Sequence, residues 1–230
     1  MTRARVAVLA SGAGSNLQAL LDYLAALGER RAADVVLVAS DRAGAGALDR
    51  ARQAGIRAET LASARHPEGA PLDALLDPET VDLVVLAGYL KLVPAEITRR
   101  FAGRMLNVHP APLPRFGGAG MYGVHAHRAV LSSGATMSGV TAHVVDEVYD
   151  HGATLAHWPV PVLPGDDEHT LAARVLRAEH LLYPRVVQAV AQDGLRTGPH
   201  LHELVQSLPA FEPTLDDAAL ARLLDRARAH

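Results

Sequence analysis

The sequence predicts a doubly wound α/β protein, a mostly parallel sheet with helices on both faces and three layers in all. Three observations carry that expectation. Apolar runs at 6–10, 34–40 and 81–88 are short and close to continuous, the pattern of strands buried on both faces. Between them lie segments whose apolar residues recur at helical spacing, so strand and helix alternate along the chain. Loops at 11–16, 88–93 and 107–118 follow strands, and in such sheets ligands bind outside the carboxyl ends of the strands.

The first strand runs into Ser11-Gly12-Ala13-Gly14-Ser15-Asn16, after which Leu17, Leu20, Leu21, Leu24 and Leu27 mark a helix. Two readings of this loop stand side by side. Glycines let the backbone approach an anion, Ser15 and Asn16 add side-chain bonds, and the helix N-terminus offers free N–H groups. The same residues also suit a tight turn capped by Ser or Asn. The loop is neither a P-loop, which ends Gly-Lys-Ser/Thr, nor a dinucleotide fingerprint, because Leu17 stands where the third glycine belongs.

The second strand ends in Ser40-Asp41-Arg42; a helix over 47–54 is stopped by Gly55, and 56–61 supply a short third strand. Residues 63–71 read as a surface loop that carries Arg65 and His66. After the strand at 81–88, residues 89–93 lead to a helix over 94–100 that Pro94 opens.

An apolar run at 105–109 ends the next strand and turns Asn107 and His109 to one face. Pro110, Pro112 and Pro114 then fix a stiff, non-helical loop. By itself, Asn-x-His-Pro equally suits a satisfied core amide and a structural histidine. Gly117, Gly118, Gly120 and Gly123 make the following loop turn sharply, and a helix over 124–131 carries His125 and His127. Residues i and i+2 do not share a helical face, which weighs against a metal-binding pair.

A strand at 138–145 contains His143, an acidic turn occupies 146–152, and a further strand spans 153–162. A long helix follows Asp166-Asp167-Glu168 and continues to about 193 despite Pro184. Short helices complete 195–230, with Leu220, Leu223 and Leu224 on one face of the last. No repeat or linker divides the chain, so 1–230 is expected to be one domain with 195–230 as a C-terminal helical extension.

Bulk properties narrow the function. The 230 residues are 49% hydrophobic and 20% charged, an ordinary globular balance. A formal net charge of −3 argues against a nucleic-acid or anionic-membrane binder, so any phosphate must be met locally. The absence of cysteine excludes disulfides, a thiol nucleophile and cysteine-ligated metal centres. No apolar run is long enough for a membrane span, and the first run breaks at Ser11-Gly12 before a signal peptide could form. A cytoplasmic location is expected.

The motifs in their order point further. Residues 10–20, Val84-Val85-Leu86-Ala87-Gly88-Tyr89, Asn107-Val108-His109-Pro110 with Leu113-Pro114, His143 followed by Asp150-x-Gly152, and Glu179-His180-x-x-Tyr183-Pro184 together resemble the folate-dependent glycinamide ribonucleotide formyltransferases. The resemblance covers residues 5 to about 194. It implies a Rossmann-like formyltransferase fold and transfer of a formyl group from 10-formyltetrahydrofolate to a primary amine. No metal takes part in that chemistry, the partners are the two small molecules, and the enzyme acts as a monomer or homodimer.

By the same resemblance, Asn107, His109 and Asp150 form the reacting centre. Asn107 donates to the developing oxyanion, a protonated His109 stabilises it and moves a proton, and Asp150 favours the imidazolium. Gly14, Ser15 and Asn16 hold the substrate phosphate, and Glu179 lies near the ribose. Folate falls to Arg65, to Leu90, Lys91, Leu92 and Val93, to Asn107, and to the turn of Asp146, Glu147, Val148, Tyr149 and Asp150. Departures occur at the long glycine-rich loop and at His151, which stands where glycine is frequent and suggests either an altered local turn or a second titrating group beside Asp150. A formyltetrahydrofolate hydrolase would use the same three groups on water, but that family carries an additional N-terminal domain. A nucleotide-binding regulator would give the three groups no role.

Overall fold

The computed structural model describes residues 2–63, 68–77, 80–196, 198–208 and 222. Within them, β1 (Ala4–Leu9), β2 (Ala33–Ser40), β3 (Arg57–Thr60), β4 (Leu83–Leu86), β5 (Met105–His109), β6 (Met137–Val144) and β7 (Thr154–Pro161) form one sheet. The strand order is β3-β2-β1-β4-β5-β6-β7. Strands β1 to β5 run parallel, β6 is antiparallel to β5, and β7 is antiparallel to β6. The helices are α1 (Ser15–Leu27), α2 (Gly46–Gln53), α3 (Leu72–Leu75), α4 (Ala95–Arg100), α5 (Val124–Ser132), α6 (Glu168–Gln192) and α7 (Pro199–Ser207). The doubly wound, mostly parallel sheet is therefore present; the single turn α3 is too short to leave a periodic signal.

Strand alternation divides the interior into two layers. Val6, Val8, Leu83, Val85, Leu106 and Val108 face one core, where α1, α2, α5 and α6 bury Leu17, Leu20, Leu48, Val130 and Val175. Ala7, Leu9, Val84, Leu86 and Met105 face the other, closed by Leu75 of α3 and by Ile97 and Phe101 beside α4. Each such buried Leu, Ile or Phe contributes roughly 1.5–3 kcal/mol of transfer free energy.

Three features of the fold position the site. Strand β1 lies between β2 and β4, so consecutive crossovers leave in opposite directions and open a crevice at its carboxyl end. Tyr183 of α6, fully buried, donates its hydroxyl to the carbonyls of Leu86 and Leu106 at 3.1 and 3.0 Å, bridging the ends of β4 and β5. Helix α6 itself begins with a capping box in which Asp167 accepts from the backbone of His169 and Thr170, and it continues through Pro184.

The C-terminal region is partly integrated with this core, since Leu201 and Leu204 of α7 are buried in the same layer as α6. The final helix expected around Leu220, Leu223 and Leu224 lies outside the described residues.

Candidate active site

The crevice at the strand ends is a cavity of about 550 Å³, within the range of small-molecule sites. Its floor at one end is the loop between β1 and α1. Gly14 takes a left-handed conformation (φ 76), and a Cβ there would lie 2.7 Å from Ala47 Cα, so only glycine lets α2 pack this closely. The carbonyls of Gly12, Ala13 and Gly14 accept bonds from Ala47 N (3.1 Å), Arg50 Nε (2.8 Å) and Gln18 N (2.9 Å). With its carbonyls so engaged and no side-chain cap on α1, the loop presents the cavity with the donor end of a helix.

Glu179 closes this end from α6. Its Oε2 accepts from Asn16 Nδ2 at 2.6 Å, and both side chains are buried. Burial pushes the Glu179 carboxyl up to about 7, against the opposing pull of the Asn16 bond. The Oδ1 atom of Asn16 is buried without a hydrogen-bond partner among the described residues.

The centre of the cavity is built by β5 and β6. Alternation along β5 delivers Asn107 and His109 to the same side, and the antiparallel register sets Asn107 directly opposite His143. Asn107 Nδ2 lies 3.0 Å from His143 Nε2, while His143 Nδ1 lies 2.9 Å from the carbonyl of Val144. A carbonyl only accepts, so Nδ1 of His143 carries the proton and Nε2 accepts from the amide. A register shift between Ala142 and His143 where β6 pairs with β7 accompanies this placement of the ring.

Asp150 reaches the centre from the turn between β6 and β7. A Cβ on Gly152 would lie 1.9 Å from the Val144 carbonyl oxygen, so the turn folds back tightly only with glycine there. Asp150 itself sits in the left-handed region (φ 53), a sparsely populated conformation for a side-chain-bearing residue. Its Oδ2 accepts from Gly118 N at 3.0 Å and lies 3.4 Å from His109 Nδ1. Its Oδ1 lies 3.4 Å from Asn107 Nδ2 and 3.6 Å from His143 Nε2.

Burial alone would raise the Asp150 carboxyl, but the His143 and His109 rings and the Gly118 N–H together hold it below the ordinary aspartate value. His109 is also displaced. Burial outweighs the field of Asp150 and the bond to Phe116, holding its imidazole below the ordinary histidine value. Its Nε2–H donates to the Phe116 carbonyl at 2.8 Å, leaving the Nδ1 lone pair facing Asp150. The resting ring is therefore neutral at pH 7. Asp150 pulls towards the imidazolium, but burial prevails.

At the far end the cavity is lined by residues 89–93 and, after β6, by residues 145, 146 and 148–150, and it is bordered by exposed Leu90, Leu92, Tyr122, Val148 and Tyr149. These make up five of the eight large apolar side chains exposed among the described residues, so exposure concentrates at one rim. Asp146 lines the cavity, with Val148 N at 2.9 Å and His151 Nδ1 at 2.7 Å from its carboxylate.

The structure thus gathers Gly14, Ser15, Asn16, Leu90 to Val93, Asn107, His109, Asp146, Val148, Tyr149, Asp150 and Glu179 around one cavity. Glu147 stands apart from this group: its carboxylate forms a fork with Arg99 at 2.7 and 3.2 Å and does not line the cavity. The exposed ring of His151 pairs with Asp146 within the turn. Arg65 lies outside the described residues.

Two cavity residues carry roles that the sequence left unassigned. His143 belongs to the recognised motif pattern, yet its partner is 36 positions away and becomes visible only through strand register. His127 faces inward while His125 faces solvent, as expected from the helical spacing. Burial, with a smaller contribution from His109, lowers His127 to about 4, and its Nδ1 is buried without a hydrogen-bond partner among the described residues. Among the described residues no group of three or more His, Asp or Glu is arranged to hold a metal ion.

Residues 4–187 match the family described as formyl transferase. A trifunctional purine biosynthetic protein adenosine-3 from Drosophila melanogaster is 41% identical over 203 residues, 86% of this chain. The chain spans only 15% of that protein's length. The phosphoribosylglycinamide formyltransferase of Escherichia coli is 37% identical over 195 residues, covering 83% of this chain and 89% of its own. Among solved structures, glycinamide ribonucleotide transformylase 1 from Symbiobacterium toebii superposes with a TM-score of 0.73 at 38% identity, over 83% of this chain and 89% of its own.

Proposed function

Because the chain belongs to the formyl transferase family, we propose that it transfers the formyl group of 10-formyltetrahydrofolate to the amine of glycinamide ribonucleotide. The products are formylglycinamide ribonucleotide and tetrahydrofolate, and the step belongs to de novo purine biosynthesis in the cytoplasm. The observation that carries this reading is the single cavity whose one end is a helix N-terminus, whose other end is an apolar rim, and whose middle holds Asn107, His109 and Asp150.

In this reading the substrate phosphate meets the N–H groups of Gly14, Ser15 and Asn16, and Glu179 accepts from a ribose hydroxyl. The pterin stacks within the apolar rim of residues 90–93 and 148–149. The amine then attacks the formyl carbon between the two ends. As the C–N bond forms, negative charge collects on the formyl oxygen, and the Asn107 amide donates to it.

The attacking amine must lose a proton and N10 of the folate must gain one. Neutral His109, with a lone pair at Nδ1 directed at Asp150, takes up the proton as an imidazolium that Asp150 stabilises. Collapse of the tetrahedral adduct breaks the bond to N10, which receives the proton. His109 and Asp150 thus return to their starting states, and neither a metal nor a covalent enzyme intermediate is required.

The direct test offers 10-formyltetrahydrofolate with either glycinamide ribonucleotide or water as acceptor. Formylation of the amine is the expected outcome. Folate turnover at the same rate without the amine would instead assign hydrolysis.

A further inference from the structure

One buried polar cluster lies behind the cavity wall and takes no part in the chemistry above. Ser11, 1% exposed, lies two residues beyond the end of β1 at the crevice. Its hydroxyl donates to Asp41 Oδ1 at 2.6 Å and accepts from the backbone N–H of Leu90 at 3.1 Å. Its own N–H donates to the Gly88 carbonyl at 3.0 Å. Asp41, whose side chain is 8% exposed, extends its other oxygen to within 3.6 Å of Lys91 Nζ. Neither Ser11 nor Asp41 lines the cavity.

The location gives this cluster its meaning. The β1–β4 ladder ends at Leu9 and Leu86, with two further backbone bonds, from Ala87 N to the Leu9 carbonyl and from Ser11 N to the Gly88 carbonyl. Beyond that point the two chains diverge, one into the glycine loop and the other, through Gly88 (φ 73), into residues 89–93. Ser11 and Asp41 are the groups that tie the diverging chains together, joining three strand ends at the switch point of the sheet. Burial first and the charge of Asp41 second push the neighbouring Tyr89 up to about 12.

We propose that Ser11 and Asp41 form a positioning pair that sets the wall at residues 90–93 against the glycine loop, and thereby the fit of the formyl donor beside the acceptor. The Ser11 hydroxyl is the joint, because one oxygen both receives the Leu90 N–H and donates to Asp41. Asp41 fixes the direction of that hydroxyl and so leaves its lone pair for Leu90. This inference rests on the folate assignment of residues 90–93.

The test compares steady-state kinetics of Ser11→Ala, Ser11→Thr, Asp41→Ala and Asp41→Asn with those of wild type, each substrate varied in turn. Removing the acceptor of the Leu90 N–H is expected to raise the donor KM about tenfold in Ser11→Ala. Its kcat and acceptor KM are expected to stay within about twofold of wild type. Ser11→Thr, which keeps the hydroxyl, restores the donor KM, and Asp41→Asn, which keeps an acceptor for that hydroxyl, stays near wild type. Asp41→Ala raises the donor KM, and the Ser11→Ala/Asp41→Ala double variant loses less than the product of the single effects. Asp41→Ala also carries the test if Ser11→Ala does not fold. A donor KM unchanged in the folded alanine variants, or an equal loss in all kinetic constants, overturns the pair while leaving the formyltransferase reading intact. A wild-type protein that transfers no formyl group overturns that reading itself.

Discussion

Asn107 and His143 face each other across the β5–β6 pair, with Nδ2 of the amide 3.0 Å from Nε2 of the ring. Because His143 commits its Nδ1–H to Val144, the ring fixes which end of the carboxamide is turned inward. Removing the ring in His143→Ala frees the amide to rotate. The expected result is a kcat about 10- to 100-fold lower, milder than the loss of about 10²–10³ expected for Asn107→Ala. Single-turnover rates measure both, and wild-type chemistry in His143→Ala would mean that strand register alone orients the amide.

Acid should destabilise the protein through the same cavity. A lowered folded-state value means that the unfolded histidine takes up its proton first, so stability falls as pH drops below about 6.5. For His127, held at about 4, this amounts to on the order of 3 kcal/mol between those pH values. His109 adds in the same direction. Asp150, also lowered, stabilises above its unfolded value and loses that contribution as pH falls through its folded value. Denaturant titrations at pH 7 and pH 4.5 measure the difference, and His127→Phe should shrink it. Parallel behaviour of variant and wild type would remove His127 from the account.

Glu179 has the opposite sign. Its folded value is raised, so its contribution to stability is present below about 4.5 and is lost as pH rises through about 7. Glu179→Gln should therefore be more stable than wild type at pH 8, by on the order of 3 kcal/mol, and nearly equal to it at pH 4.5. Acceptor affinity should fall in the same variant. Thermal melts at the two pH values, combined with the acceptor KM, separate the effects; a variant less stable at pH 8 contradicts the burial argument.

Gly152→Ala tests whether the turn carries the chemistry into place. The added Cβ meets the Val144 carbonyl oxygen, so the backbone before it must move and take Asp150 with it. Activity is expected to fall at least about 100-fold, although no reacting group has been changed. Near-normal turnover would show that Asp150 tolerates displacement.

The Glu147–Arg99 fork supplies a contrasting case. Both side chains are well exposed and neither lines the cavity. Glu147→Ala should leave the donor KM within about twofold of wild type, as expected for a solvated ion pair. A larger rise in donor KM would return Glu147 to the folate site.

The sheet, its helices and most of the cavity were legible in the sequence because strand and helix periodicity directly encode which face is buried. Asn107 and His109 could be paired from a spacing of two, and Gly14 from its place between a strand and a helix. His143 could not be paired in this way, since its contact depends on the antiparallel register between β5 and β6. The Ser11–Asp41 bond left no signal, because two polar residues ending different strands look alike whether they touch or not. The Glu147–Arg99 fork left no signal either, because a motif assigns a stretch of chain and not the partner of each side chain in it. The charge state of His109 was the least legible property, being the balance of burial against a carboxylate whose distance no sequence reports.

Gly117 has an ordinary φ, yet a Cβ there would fall 2.4 Å from Leu113 Cδ2 and 2.9 Å from Asp150 Cβ. The glycine-rich segment therefore packs against the Asp150 side chain at a point where a missing atom sets the spacing. In a randomised library spanning 117–123, Gly118, Gly120 and Gly123 are constrained by backbone angle, whereas Gly117 is constrained by volume alone. A smaller residue at 113 removes only the first of these contacts, so any side chain at 117 also displaces Asp150, and the volume of one glycine ties the mouth of the cavity to its centre.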